Sequence, residues 1–189
     1  MHGTLCDFLS DIVQNSFEAG ARSVTVTIEE SEREIRFTVV DDGKGMTEEV
    51  LKRVQDPFYT DGEKHRKRKV GLGIPFLVQA VESVGGDFSI VSEPQVGTTI
   101  AFSFRLDHID CPPLGDLPST LMGIMGFSGD CNLVVQRFLT GPAGSDSYRV
   151  ERRELTEVLG DLTTSGTLNL LLGYLRSQET GLDDVRNHA

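Results

Sequence analysis

Two neighbouring stretches of strict alternation constrain this chain most. In "SVTVTIEE" (23–30), Val24, Val26 and Ile28 share one face; in "EIRFTVVDD" (34–42), Ile35, Phe37 and Val39 do the same. Period-2 alternation is the mark of a strand with one apolar face, and the "ESERE" between them predicts a hairpin. Such a face has to be covered. The preceding residues supply the cover, because Leu5, Phe8, Leu9, Ile12, Val13 and Phe17 recur at helical spacing over 4–19, and Gly20 closes that helix. A helix lying on one side of a sheet follows.

The rest of the first hundred residues repeats the theme. "DDGKGMT" reads as a loop, with Thr47 as N-cap of a helix over "EEVLKRVQ" and Asp56-Pro57 as its stop. A second helix is predicted over "GLGIPFLVQAVESVGG", with Pro75 tolerated in the first turn and Gly85-Gly86 at the end. "DFSIVSEP" and "TTIAFSFRL" alternate again and are joined by a turn around "QVGT". These elements predict an α+β fold, a two-layer α/β sandwich with a mostly antiparallel sheet. After Leu106 the composition shifts to "HIDCPPLGDLPS", rich in Pro, Gly and Asp. Beyond it the patterns predict a helix near 119–126, strands near 132–139 and 147–151, and helices near 152–160 and 166–177. The expected division is a principal domain over 1–107 and a small α+β appendix over 108–189.

Charge and cysteine usage exclude several classes. The 189 residues carry a net charge of −11, which argues against nucleic acid as a general partner. Three cysteines, Cys6, Cys111 and Cys131, are widely spaced and odd in number, as expected of reduced thiols rather than a disulfide scaffold. The N-terminus lacks the pattern of a secretory signal, and no run approaches the ~20 apolar residues that span a bilayer. A cytoplasmic protein with no membrane segment is expected.

Four features then occur in order. Asp11 and Asn15 lie four apart on the first helix, so a carboxylate and a carboxamide project from one face. They are followed by the loop "DDGKG" (41–45), the turn "VGLGI" (70–74) and the strand entry "GTT" (97–99). Together these resemble the nucleotide-binding boxes of the GHKL superfamily, which comprises DNA gyrase, the ninety-kilodalton heat-shock chaperones, sensor histidine kinases and MutL. The resemblance covers roughly residues 5 to 106 and implies a Bergerat-type ATP-binding fold using ATP and Mg²⁺.

The resemblance assigns Asp41 as the fixed acceptor that tells adenine, with its exocyclic amine, from guanine. Gly43 and Gly45 allow positive φ and let the backbone pass close to a flat base. It assigns Asn15 to Mg²⁺, an ion that takes a few oxygen ligands alongside phosphates and water. Gly71, Leu72 and Gly73 fall where backbone N–H groups at a helix N-terminus meet phosphate. Thr98 falls where the family reaches the adenine side through water. Met46 forms an apolar wall against the base or simply joins the core. Asp42 is read as solvent-facing or a cap, Glu18 as structural at the helix end, and Phe58 and Tyr59 of "DPFYT" as packing.

Two departures stand out. Asp11 occupies the position where hydrolysing members carry the Glu that orients or deprotonates the attacking water. Asp is one methylene shorter, and a misplacement of ~1 Å can cost about a hundredfold in rate, so Asp11 is a catalytic candidate. Lys69 stands where a fuller family version has a further glycine, within the basic run "EKHRKRK" (63–69), which is free to neutralise phosphates or grip an acidic partner.

Only residues 1–10 precede Asp11, so no phosphoacceptor histidine hairpin is expected in the sequence as given. The four histidines do not form such a site, and His108 with Asp110 and Cys111 is too bare a pattern for a metal. The appendix contains no lysine to reach a γ-phosphate; Arg137, Arg149, Arg152 and Arg153 are its candidate cations. Its apolar "TLNLLLGYLRS" either docks a partner or a second copy of the chain, or packs on the sandwich. The expected activity is ATP or ADP binding with slow hydrolysis or a nucleotide-operated switch read by a separate protein partner. The alternatives are a protein kinase subunit acting on a separate acceptor, and a non-catalytic ATP/ADP sensor.

Overall fold

A computed structural model describes residues 3–55, 73–127 and 129–187. The first helix, α1, spans Leu5–Glu18. Its start is fixed by a capping box: Asp7 N–H donates to Thr4 Oγ1 (3.2 Å), and Thr4 N–H donates to Asp7 Oδ2 (2.9 Å). Its end is fixed by Gly20 at φ +75°, a left-handed conformation that glycine adopts at no cost. Leu5, Phe8, Leu9, Ile12 and Val13 are all buried along one stripe, each worth roughly 1.5–3 kcal/mol against full exposure.

The remaining elements follow in the order β1 (Ser23–Glu30), β2 (Glu34–Asp41), α2 (Glu48–Gln55), α3 (Gly73–Ser83), β3 (Phe88–Glu93) and β4 (Gly97–Arg105). They are followed by α4 (Leu117–Met125), β5 (Asn132–Gly141), β6 (Gly144–Glu151), α5 (Arg152–Leu159) and α6 (Ser165–Asn187). One six-stranded sheet has the order β3-β4-β2-β1-β5-β6. Every pairing is antiparallel except β1 with β5, which run parallel from Ser23↔Asn132 to Glu30↔Leu139.

The alternation read from the sequence is the alternation of burial. Val24, Val26, Ile28, Ile35, Phe37 and Val39 are buried beneath the helices. Thr25, Thr27 and Thr38 point to the other face, where Val40 and Phe138 are exposed. The fold is therefore the expected two-layer α/β sandwich with a mixed, mostly antiparallel sheet. Stacked Phe37–Phe102 rings, 5.0 Å apart, join β2 to β4 inside the core.

The strands after residue 107 continue the same sheet, and Leu121, Leu133, Val135, Leu171 and Leu175 belong to the same apolar core as Leu9 and Phe37. The composition shift at 107–118 marks a strap rather than a gap in the core: Leu5 and Cys6 N–H donate to the carbonyls of Pro113 and Leu114 (3.0 Å each). Helix α6 runs ten residues beyond the expected end at 177. Leu182 and Val185 carry the buried stripe onward through a polar stretch containing Gly181. Tertiary packing there outweighs the ~1 kcal/mol that an interior glycine costs a helix. The apolar run of α6 thus packs on the sandwich, although Leu170 and Tyr174 remain exposed.

An ionic cluster seals the end of the sheet far from residue 41. Arg137 is wholly buried on β5, paired with Glu30 of β1 and, at 3.2 Å, with Glu179 of α6. Arg186 also reaches Glu30 (3.3 Å) and Glu179 (3.4 Å), and Tyr148 Oη donates to Glu179 Oε1 (2.8 Å). Burial and the Glu179 carboxylate push the Tyr148 hydroxyl far above its usual range. Burying this many charges is tolerable only because each is paired. Arg137→Ala removes the buried cation between Glu30 and Glu179 and leaves the half-buried Arg186 as the guanidinium that reaches both. It is expected to lower the unfolding free energy by about 3–5 kcal/mol, measured by urea denaturation with an unchanged m-value.

Candidate functional site

Asp41 is the last residue of β2 and continues the inward-facing series Ile35, Phe37, Val39. Its carboxylate therefore points to the helix side of the sheet instead of solvent. Two donors hold it: Ser16 Oγ of α1 to Oδ2 (2.8 Å) and Gly43 N–H to Oδ1 (2.9 Å). An ionised carboxylate offers about four acceptor positions, so this anchoring leaves acceptor capacity for an amine donor.

The loop after Asp41 is held close to its neighbours. A Cβ on Gly43 would come within 2.9 Å of both Ala19 Cβ and Asp41 Oδ1. Gly45 has φ +61°, and a Cβ there would overlap the carbonyl oxygen of Glu93. Lys44 N–H donates to Ala19 O (3.1 Å), and Gln95 N–H donates to Lys44 O (2.9 Å), which ties the loop to α1 on one side and to the β3–β4 turn on the other. Asp42 is exposed and accepts from the N–H groups of Arg22 (2.7 Å) and Ser23 (2.8 Å), so it caps the start of β1.

Thr98 sits directly across from Asp41 in the β2–β4 ladder. It is buried, and its hydroxyl lies 2.8 Å from Ser92 Oγ, which also accepts from Met46 N–H (2.9 Å). Gly97 before it, at φ +139°, lets the backbone of Asp41 pass where a Cβ would overlap its carbonyl oxygen. Met46 is half-buried at the lip of this group.

Asp11 and Asn15 project from the polar side of α1. Asp11 is exposed and stands beside the first residue of α3: a Cβ on Gly73 would lie 3.3 Å from Asp11 Oδ2. Helix N-termini favour negative charge, so Asp11 and any bound anion would draw on the same end of α3. Asn15 is half-buried one turn further on, next to Ser16. Glu18 is exposed at the helix end and accepts from Gln14 Nε2 (3.3 Å).

One end of the sandwich therefore gathers Asp11, Asn15, Asp41, Gly43, Gly45, Met46, Gly73 and Thr98. Gly71, Leu72, Phe58, Tyr59 and the basic run 63–69 with Lys69 lie outside the described residues. None of the four candidate arginines, Arg137, Arg149, Arg152 and Arg153, is placed as a phosphate ligand. Arg137 is buried in the ionic cluster, Arg149 pairs with Glu151 and Glu154, Arg152 is spent on backbone carbonyls, and Arg153 is exposed on α5.

Sequence reasoning missed Ser16 and Ser92. A signal existed in each case: Ser16 is a polar residue on the buried stripe of α1, and Ser92 occupies the inward position after Phe88 and Ile90. Among the described residues no group of three His, Cys, Asp or Glu could hold a metal ion. The donors on hand, one carboxamide and one carboxylate, fit an ion that takes the rest of its ligands from phosphate and water.

Comparisons with known proteins identify the family of the chain. Residues 3–108 match the family model described as histidine kinase-, DNA gyrase B- and HSP90-like ATPase. The chain belongs to this family, the GHKL type of ATP-binding protein, over residues 3–108. Among curated relatives, it is 28% identical to the sensor protein KdpD of Clostridium acetobutylicum over 54% of this chain and 12% of that protein. It is 32% identical to sporulation kinase A of Bacillus subtilis over 50% of this chain and 15% of that protein. The chain thus matches only a small part of the length of these relatives. A crystal structure of the N-terminal domain of a DNA repair protein shares the fold with a TM-score of 0.53 at 12% identity, covering 87% of this chain and 58% of that one. That likeness of fold extends well past residue 108. No helix among the described residues is long and apolar enough to cross a membrane.

Removing the Ser16 hydroxyl deletes a charge-assisted hydrogen bond at a buried position. Ser16→Ala is expected to cost about 1–3 kcal/mol of stability. Gly45→Ala should cost at least as much, about 1–2 kcal/mol from the left-handed backbone alone with the overlap at Glu93 added. Thermal and urea unfolding of the two variants beside the parent measure both.

Proposed function

We propose that the chain binds Mg-ATP at the end of the sandwich where α1, β2, β4 and α3 meet, and that it works as a slow ATPase or a nucleotide-operated switch read by a separate protein. The observation that carries this reading is the inward carboxylate of Asp41, fixed by Ser16 and Gly43 and faced by Thr98. A fixed acceptor lets the site reward a base with an exocyclic amine and reject one presenting a carbonyl there, since the mismatch leaves the carboxylate unpaired. Gly43 and Gly45 keep the loop flat beside the base, with Met46 as an apolar wall. Gly73 opens α3, whose N-terminus would receive the phosphates, and Gly71 and Leu72 of the same sequence motif would join it there.

Asn15 would hold Mg²⁺, whose charge when bound offsets that of the phosphates. Asp11, one turn earlier on the same face, would orient the attacking water and accept its proton. Its short side chain predicts slow turnover. A second reading, a kinase subunit acting on a separate acceptor, is supported by the relatives, one of which is named as a sporulation kinase. A sensor of ATP against ADP without chemistry is the third.

Calorimetric titration with ATP and ADP, with and without Mg²⁺, and an assay of released phosphate on the same samples distinguish these. ATP is expected to bind, and Asp41→Asn to weaken it by about 10- to 100-fold, the worth of a hydrogen bond to a charged group. Asn15→Ala should abolish the Mg²⁺ dependence of affinity. Asp11→Asn should leave affinity in place and lower phosphate release by about a hundredfold. No ATP binding by the parent protein would refute the reading. Binding without release would favour the switch, kinase or sensor forms.

A further inference from the structure

Arg152, the first residue of α5, holds the segment between α4 and β5 by its backbone. Its Nε donates to Met125 O (3.0 Å), Nη2 to Phe127 O (2.8 Å), and Nη1 to both Gly129 O (2.8 Å) and Cys131 O (3.0 Å). Four carbonyls converge on one planar guanidinium, a geometry that the point charge of a lysine does not reproduce. The segment held in this way presents Phe127, whose ring stacks on Phe17 of α1 at 4.2 Å and 12°. Phe17 follows Ser16, the donor to Asp41, and lies two residues before Ala19, whose carbonyl accepts from Lys44 N–H.

A second connection runs in parallel. Asn132 Nδ2 donates to Glu151 and its Oδ1 accepts from Arg153 N–H, so the side chain bridges the end of β6 and the start of α5. Its own N–H donates to Arg22 O (2.8 Å), and Arg22 N–H in turn donates to Asp42 beside the acceptor. Cys131 lies between the two routes, and burial first, then the Asp42 carboxylate, push its thiol up against the opposing charge of Arg152.

We propose that Arg152 is a positioning residue for the nucleotide site. Through the Phe127–Phe17 stack it sets the last turn of α1, and with it the Ser16–Asp41 acceptor; this inference rests on the ATP-binding reading above. The C-terminal segment is then part of the site's machinery. An event that moves the start of α5 changes how tightly the base is held, and by reciprocity nucleotide binding steadies the start of α5.

Two readouts on Arg152→Lys and Phe127→Leu test the proposal, with Tyr148→Phe as a control that loses a hydrogen bond at the other end of the sheet. The first needs no nucleotide. Amide hydrogen exchange at Ala19, Ala21 and Lys44, whose N–H groups bond to Asn15, Ser16 and Ala19, is expected to quicken about tenfold, the upper worth of an aromatic stack. Exchange in the β3–β4 ladder should not change relative to the control. The second is the ratio of ATP to inosine triphosphate affinity, which does not depend on the folded fraction. It is expected to fall about tenfold in both variants and to stay constant in the control.

Unchanged exchange at those three amides, or an unchanged ratio, overturns the proposal. If Arg152→Lys fails to fold, Phe127→Leu and Phe17→Leu carry the same test. Failure of the parent to bind ATP would refute the nucleotide reading by itself, and the exchange measurement still decides whether Arg152 controls the end of α1.

Discussion

An inward-facing carboxylate at the end of a core strand is the constraint around which this molecule is arranged. Because side chains alternate along β2, the stripe that buries Ile35, Phe37 and Val39 also delivers Asp41 to the helix side. A charge in that position has to be paired or hydrogen-bonded. The solution here is local and double: a serine on the buried stripe of α1 and the N–H of a glycine two residues on. A shift of β2 by one residue would turn Asp41 to solvent and empty the core at the same time. Core and site thus share one register.

The neighbourhood of Asp41 is made of close backbone approaches. The chain passes Glu93 at Gly45 and passes Asp41 itself at Gly97, both at positive φ with no room for a side chain. These approaches let the loop after β2, the β3–β4 turn and the end of α1 lie within hydrogen-bonding distance of one another. The same end of the sandwich receives the start of α3, where Asp11 stands beside Gly73. The opposite end is closed by the Glu30–Arg137–Glu179–Arg186 cluster. Between them lies one continuous core, so the C-terminal helices and strands support the site through packing rather than through phosphate-binding side chains.

Much of this was legible in the chain. The boundaries of α1, β1, β2, β3 and β4 follow from periodicity and from Gly20, because local hydrophobic pattern and capping chemistry act over a few residues. Asp41, Gly43, Gly45, Gly73, Asp11, Asn15 and Thr98 were recognisable from the order of the motifs. Ser16 and Ser92 stood out in the sequence only as polar residues on inward stripes, which says nothing of their partners; Asp41 is 25 residues from Ser16 in sequence. Arg137 was a candidate cation for phosphate until β5 was placed beside β1, when its position fell inside the core facing Glu30. The last ten residues of α6 lie beyond the predicted end at 177, and the surface they meet explains them.

By itself, then, the sequence determined the kind of layer each segment would join and the order of its short motifs, since both are written in short-range spacing. Tertiary structure alone decided that the segment after residue 107 joins the same sheet through a parallel β1–β5 pairing. It alone converted a composition shift into a strap across α1, and spent Arg152 on four backbone carbonyls beneath the site. The physical reason is range. Periodicity and capping are settled by neighbours along the chain, whereas parallel pairing, buried ion pairs and a guanidinium among carbonyls depend on which distant segments come together.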